Sequence, residues 1–189
     1  DKTGTLTQNR MTVTRAYFGN ALMDIEALPV DDEGARQMVN AGVLCNDARA
    51  QTMEDGAVRL IGDPTETALV DMGIRLGIEK EKLEKELPRV AEVPFDSARK
   101  RMSTVHALPR GGFRVYTKGG LDEVLACCRD AYSAEGPRPI APAAQQAAKA
   151  NAEMAAQALR VLAFAYKDMA ALPEDMAGAE TGLTFLGSV

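Results

Sequence analysis

The strongest constraint on the fold is a change of period near residue 90. Val90, Val93 and Phe95, then Met102 to Leu108, then Phe113 to Thr117 carry apolar residues at strand spacing. A period of two belongs to strands with one buried face. The last two runs are separated only by Pro109-Arg110-Gly111-Gly112, a link short enough and rich enough in glycine to close a hairpin. The chain must therefore build an antiparallel sheet, and a sheet with an apolar face needs covering layers.

Helical segments supply those layers. Asp31 to Asn46 places acids at its front and Met38, Val39, Gly42 and Val43 along one side, the pattern of an amphipathic helix. Asp63-Pro64-Thr65-Glu66 reads as a helix start, with an N-cap, proline at the first position and glutamate at the third. The stripe Ala68, Leu69, Met72 and Leu76 follows. Glu79 to Leu87 is a short charged helix with a solvated face. Leu121 to Cys128 and the alanine-rich stretch Ala143 to Leu159 are helical by propensity. Strands are expected at 10–18, Val58 to Ile61, Arg160 to Lys167 and Leu183 to Val189, with a loop over 133–142. The fold class is α+β, an antiparallel β-sheet flanked by helices.

The 189 residues are 46% hydrophobic and 26% charged, so a substantial core can form. A net charge of −5 argues against nucleic acid or an anionic membrane as the main partner, because both attract basic faces. It leaves room for one anionic ligand in a local basic pocket. Cys45, Cys127 and Cys128 are odd in number and lack metal-ligand spacing, as expected of reduced buried thiols. No run of about 18 apolar residues occurs to span a membrane.

The chemistry-bearing motif comes first in the chain. Residues 1–9 read Asp-Lys-Thr-Gly-Thr-Leu-Thr-Gln-Asn. A carboxylate such as Asp1 can attack a phosphoryl group and become an acyl phosphate. Lys2 sets a positive charge beside it, Thr3 and Thr5 offer hydroxyls, and Gly4 permits close backbone approach. The transfer needs Mg²⁺ to neutralise charge on the phosphates. Four further segments carry ligand-type residues. They are Gly62-Asp63-Pro64-Thr65-Glu66, Pro94-Phe95-Asp96-Ser97-Ala98-Arg99-Lys100-Arg101-Met102, Tyr116-Thr117-Lys118-Gly119-Gly120, and Leu159-Arg160-Val161. An aromatic face such as that of Phe95 stacks on any base. Each segment also has a plain structural reading. Glu66 fits a capping box, Phe95 a strand-end core residue, Lys118 a solvated turn and Arg160 an edge-strand surface residue. His106, mid-strand, reads as structural.

Residues 1–7 resemble the phosphorylation signature of P-type cation-transporting ATPases, within the haloacid-dehalogenase superfamily. Phosphatases of that superfamily carry a second Asp at the position of Thr3. Its absence implies a persistent aspartyl phosphate. The four segments are similar, in order, to motifs of the nucleotide-binding insert of these pumps, and the calcium-pump-like branch fits best. No heavy-metal-pump Ser-Glu-His-Pro element occurs.

The resemblance implies three parts. Residues 1–9 are a stub of the phosphorylation domain, 10–185 are the nucleotide-binding domain, and 186–189 are a return hinge. It implies ATP as substrate. Glu66 would lie near the adenine amino group, Phe95 would stack on the ring, and Met102 would lie close by. Lys118, Gly119 and Gly120 would line the pocket floor, and Arg160 would reach the β-phosphate. The phosphate-contacting Arg of some calcium pumps is Ser97 here, which leaves Arg99 or Lys100 to substitute. Asp1 and Thr3 would contribute to a Mg²⁺ site that the chain does not complete, because no Gly-Asp-Gly-x-Asn-Asp motif occurs in it. The chain is therefore expected to be a soluble, monomeric piece of the cytoplasmic part of an integral membrane protein. It would bind nucleotide without turning over. Its partners would be the phosphorylation, actuator and transmembrane domains of the same polypeptide, with no nucleic acid. A stand-alone phosphatase and a non-catalytic ATP-sensing module are the rival readings.

Overall fold

The computed structural model describes residues 10–189. Asp1, Lys2 and Thr3 lie outside the described residues. The chain runs β1 (Arg15–Phe18), β2 (Ala21–Asp24), α1 (Glu33–Leu44), β3 (Arg49–Thr52), β4 (Val58–Ile61), α2 (Pro64–Arg75), α3 (Lys80–Glu86) and β5 (Arg89–Asp96). It continues through β6 (Arg101–Ala107), β7 (Phe113–Gly119), α4 (Leu121–Leu125), β8 (Cys128–Ala131), β9 (Arg138–Pro139), α5 (Ile140–Ala156), β10 (Ala163–Met169) and β11 (Leu183–Ser188). One sheet has the order β2-β1-β11-β10-β7-β6-β5. β8 joins β11 in parallel and β9 adds to β8. Every other pairing among the described residues is antiparallel, and β3 with β4 forms a separate hairpin.

Alternation along the strands assigns side chains to two faces. Phe164 of β10, Leu186 of β11 and Tyr116 of β7 join the core beneath α1 and α2, with Met38, Leu44 and Leu69. Their neighbours Ala163, Ala165 and Phe185 join a second core with Leu121 of α4 and Ala147, Ala150 and Met154 of α5. The sheet is therefore the middle of three layers.

Capping sets where the helices begin. Asp32 accepts hydrogen bonds from the amides of Gly34 (2.8 Å) and Ala35 (3.2 Å) at the start of α1. Asp63 accepts from Thr65 N (2.9 Å), with Pro64 in the first turn of α2.

Several expectations need correction. The strand expected over 10–18 is confined to Arg15–Phe18. It turns back at Gly19 and Asn20, both at φ near +60°, into β2. The helix expected over Leu121 to Cys128 stops at Leu125, because Cys128 pairs with Leu183 in the sheet. The loop expected over 133–142 is shorter, since α5 begins at Ile140. Arg160 does not open a strand; β10 begins at Ala163. The charged helix α3 is not purely a solvated face, because Lys80 turns inward and is buried.

Candidate functional site

The site is organised around the C-terminal end of α1, where the last carbonyls of the helix lack partners of their own. Three cations from distant elements supply them. Lys80 Nζ donates to Asn46 O and Ala48 O, both at 2.6 Å. Arg89 donates to Leu44 O (3.0 Å) and Asn46 O (2.9 Å). Lys118 Nζ donates to Cys45 O at 2.6 Å. Positive groups at a helix C-terminus also complement its dipole. The arrangement fixes the turn at residues 45–48 and draws β5, β7 and α3 onto it. Burial lowers the pKa of Lys80, while the hydrogen bond from Arg89 holds the Asp47 carboxyl below its usual value.

That turn grips Glu66. One carboxylate oxygen accepts from Lys118 Nζ at 2.8 Å and the other from Asp47 N at 3.2 Å. The backbone carbonyl of Glu66 accepts from Asn46 Nδ2 at 2.8 Å. Glu66 therefore does not close a capping box; its carboxylate leaves the helix start and meets β7. Lys118 is likewise no solvated turn residue, being buried near the end of strand β7.

Strand register sets the neighbours of this ion pair. Lys118 lies directly opposite Met102 on β6. On the next strand the register shifts between Val93 and Asp96, so Pro94 and Phe95 together stand opposite Met102. This bulge brings Phe95, Met102 and Lys118 into one row across β5, β6 and β7, and bulges commonly re-aim a side chain in this way. Met102 is buried, whereas Phe95 is 62% exposed, the largest exposure among the large apolar side chains of the described residues. Phe95 is therefore not a core residue. The row sets an open aromatic face beside a part-buried charge pair.

The turn after Phe95 is tightly built. Asp96 accepts from the amides of Ala98 (2.7 Å) and Arg99 (3.0 Å). The Arg99 guanidinium donates to Pro94 O and Arg101 O and pairs with Glu180 at 3.2 Å. Lys100 has φ +54° and an exposed side chain whose ammonium lies 3.8 Å from Glu123.

The family of the P-type ATPase cytoplasmic domain N matches residues 34–189. The chain belongs to that family. It is similar to calcium-transporting ATPase 1 of Bacillus cereus, with 39% identity over 190 residues, covering all of this chain and 21% of that protein. Calcium-transporting ATPase 1 of Lactococcus lactis is 38% identical over 169 residues, 88% of this chain and 18% of that protein. A putative plasma-membrane-type calcium-transporting ATPase of Arabidopsis thaliana is 34% identical over 202 residues, all of this chain and 20% of that protein. The chain thus spans about a fifth of the length of these relatives.

Within the N domain, Glu66, Lys118, Met102 and Phe95 come together, and Lys100 sits on the adjoining turn. Arg160 lies elsewhere. It is exposed, and it lines a hollow of about 170 Å³ with Met11, Thr65, Ala68, Leu159 and Leu162, beside the first turn of α2. Gly119 and Gly120 differ in purpose. A Cβ on Gly119 would collide with Lys100 O and stand 2.7 Å from Arg101 Cβ, so that glycine is required by strand approach. A Cβ on Gly120 would meet only the mobile end of Glu123. His106 is structural, with Nδ1 against Leu87 O and Nε2 against Thr104 Oγ1, both at 2.8 Å. Among the described residues no cluster of acids, cysteines or histidine could hold a metal ion, and no helix is long and apolar enough to cross a membrane.

Sequence reasoning missed Cys45, Asn46, Asp47, Lys80, Arg89 and Glu180. The only available signal was the concentration of polar residues directly after α1, at Asn46-Asp47.

Proposed function

We propose that this N domain binds ATP and, within a longer P-type pump of the calcium-transporting kind, presents its γ-phosphate to Asp1. The observation that carries the reading is the row formed by Phe95, Met102 and Lys118, with Glu66 bonded to Lys118. A base stacks on the exposed ring of Phe95, a contact worth about 1–3 kcal/mol. Glu66 accepts from the adenine amino group, and Lys118 supplies a fixed donor at the floor. Met102 gives that floor an apolar surface, and Gly119 and Gly120 keep the chain close beneath it.

Lys100 is the better candidate for the phosphates. Arg99 is committed to Pro94, Arg101 and Glu180, whereas the Lys100 ammonium is exposed and has one distant carboxylate partner. Arg160, beside the first turn of α2, would reach toward the β-phosphate. Phosphoryl transfer would use Asp1 as acceptor, beside Lys2 and Thr3, with Mg²⁺ on the phosphates supplying charge neutralisation. Transport by the longer protein, with calcium as the ion, is the reading that its similarity to calcium-transporting ATPases supports.

The 189-residue chain holds only part of such a site, so its affinity is expected near 0.1–1 mM, or about 4–5.5 kcal/mol. An NMR titration with a non-hydrolysable ATP analogue tests the reading. Shifts should concentrate at Glu66, Phe95, Lys100 and Lys118. Shifts absent there, or clustered on β1 and β8, would reject the site.

A further inference from the structure

Glu180 is the most deeply buried carboxylate among the described residues, and the reading above gives it no part at the nucleotide. It ends the short helical turn Met176–Glu180 that precedes β11, and its side chain is 3% exposed. Alternation places it behind the sheet. Arg101, Ser103 and Val105 of β6 face the same way as Val115, Thr117 and Gly119 of β7, opposite to Met102 and Lys118. Ala179, next to Glu180, packs on Val105 and Val115 of that rear face.

The carboxylate is fully engaged there. One oxygen accepts from Arg101 Nε at 2.5 Å, and the other lies 3.2 Å from Arg99 Nη2 and accepts from Ser103 Oγ at 3.0 Å. Ser103 Oγ is 2.7 Å from Thr117 Oγ1, so the network continues to the strand that carries Lys118. Arg99 meanwhile ties the two sides of the turn together through Pro94 O and Arg101 O. The hydrogen bond that Arg101 donates to Glu180 also raises the pKa of Arg101. The side chains of Arg99, Arg101 and Ser103 thus converge on one carboxylate, 79 residues from Arg101 in sequence.

We infer that Glu180 is a positioning residue for the nucleotide site: by holding Arg99 and Arg101 behind the sheet, it sets the turn that presents Phe95 and Lys100 to the ligand. The inference rests on the ATP-binding reading of that turn. Two consequences follow, and they differ in sign. Releasing the turn weakens stacking on Phe95 for any adenine ligand. Removing the Glu180 charge also makes the site more positive, which favours a triphosphate over an uncharged nucleoside through a field that salt screens.

The test is titration of the 189-residue chain with adenosine and with ATP, at low and high salt, in the folded state. Glu180→Gln is expected to lower adenosine affinity about threefold to tenfold, a partial loss of the stacking contact. Its ATP affinity should fall less, so the ratio of ATP to adenosine affinity rises at low salt and returns toward the wild-type ratio at high salt. Arg99→Met leaves Glu180 paired with Arg101, and it keeps the inference testable if Glu180→Gln does not fold. It should lower adenosine affinity by a similar factor and move the ratio the other way, because a positive charge is lost. A purely structural role would scale both ligands equally or leave the folded variants unchanged, and either result overturns the inference. Phe95→Ala separates the two levels. If it weakens adenosine binding while both other variants bind normally, Glu180 is not a positioning residue and the ATP site stands. If Phe95→Ala binds like the wild type, the site fails and the inference falls with it.

Discussion

Glu66 on α2 and Lys118 on β7 meet at 2.8 Å, joining a helix start to a strand end 52 residues later. The pair does not stand alone. Lys118 is also held by Cys45 O and Glu66 by Asp47 N, so the turn after α1 grips both partners. Neither charge needs to reorganise when a ligand arrives, and preorganised donors and acceptors of this kind cost less on binding. Removing one partner exposes the dependence of the other.

Lys118→Ala leaves Cys45 O buried without its donor and Glu66 without its cation. It should destabilise the chain by about 1–3 kcal/mol. Glu66→Gln keeps an acceptor for Asp47 N and leaves Lys118 bonded to Cys45 O, so its cost should be smaller. Urea denaturation ranks the two, and ATP titration should show weakened binding in both. An equal or reversed order of stability would mean that Cys45 O does not anchor Lys118.

The two glycines after Lys118 should respond oppositely. Gly119→Ala forces a methyl group against backbone at Lys100 and Arg101, where strands cannot part cheaply. It should cost about 1–3 kcal/mol, the usual penalty of overpacking. Gly120 has φ −60° and ψ 148°, which any residue adopts, and its added methyl meets only the Glu123 side chain. Gly120→Ala should stay within about 0.5 kcal/mol of the original chain. Thermal unfolding of the two variants checks the contrast.

Much of this was legible in the sequence, and the limits are physical. The hairpin of β6 and β7 and the cap at Asp63 depend on local pattern and turn chemistry, and both appear where the pattern puts them. The Gly19-Asn20 turn was equally local, and such a pair is a known hairpin signal. The alternating run before it masked the reversal. The end of α4 was not local, because residues 121–128 remain good helix formers until Cys128 finds Leu183 in the sheet. Glu66 shows the same limit at the site. Its spacing from Asp63 suits a capping box, and only Lys118, brought in by the sheet, draws it away. Lys80 and Glu180 looked like ordinary surface charges. Nothing in a charged heptad or an alanine-glycine stretch reveals that a buried carbonyl ring or a pair of guanidiniums awaits them.

His106 gives the chain a pH dependence of definite sign. Burial lowers its pKa from 6.5 to about 4. As pH falls, the unfolded chain therefore takes up this proton before the folded one does. The contribution to stability is complete above about pH 6.5 and is lost progressively toward pH 4, by an amount on the order of 3 kcal/mol. It is the only histidine in the chain, so the window is its own. The Asp47 carboxyl, with a lowered pKa, would act only below its ordinary value of 3.8. Urea midpoints between about pH 7 and 5 should fall in the original chain, with a flatter slope in His106→Gln. Equal slopes would assign the dependence to other groups.

Phe95 should separate binding from folding. Its ring is 62% exposed at a bulge on an edge strand, so little core is lost when it is removed. Phe95→Ala should therefore change stability by no more than about 0.5 kcal/mol. The same change removes the stacking surface, worth about 1–3 kcal/mol, and should weaken adenosine and ATP about fivefold to a hundredfold. Both ligands should lose similarly, because the lost contact is to the base and carries no charge. Phe95→Trp, which keeps an aromatic face, should restore most of the affinity. Calorimetric titration of the three chains measures this directly. An alanine variant that binds as tightly as the original would show that the exposed ring serves some purpose other than holding a base.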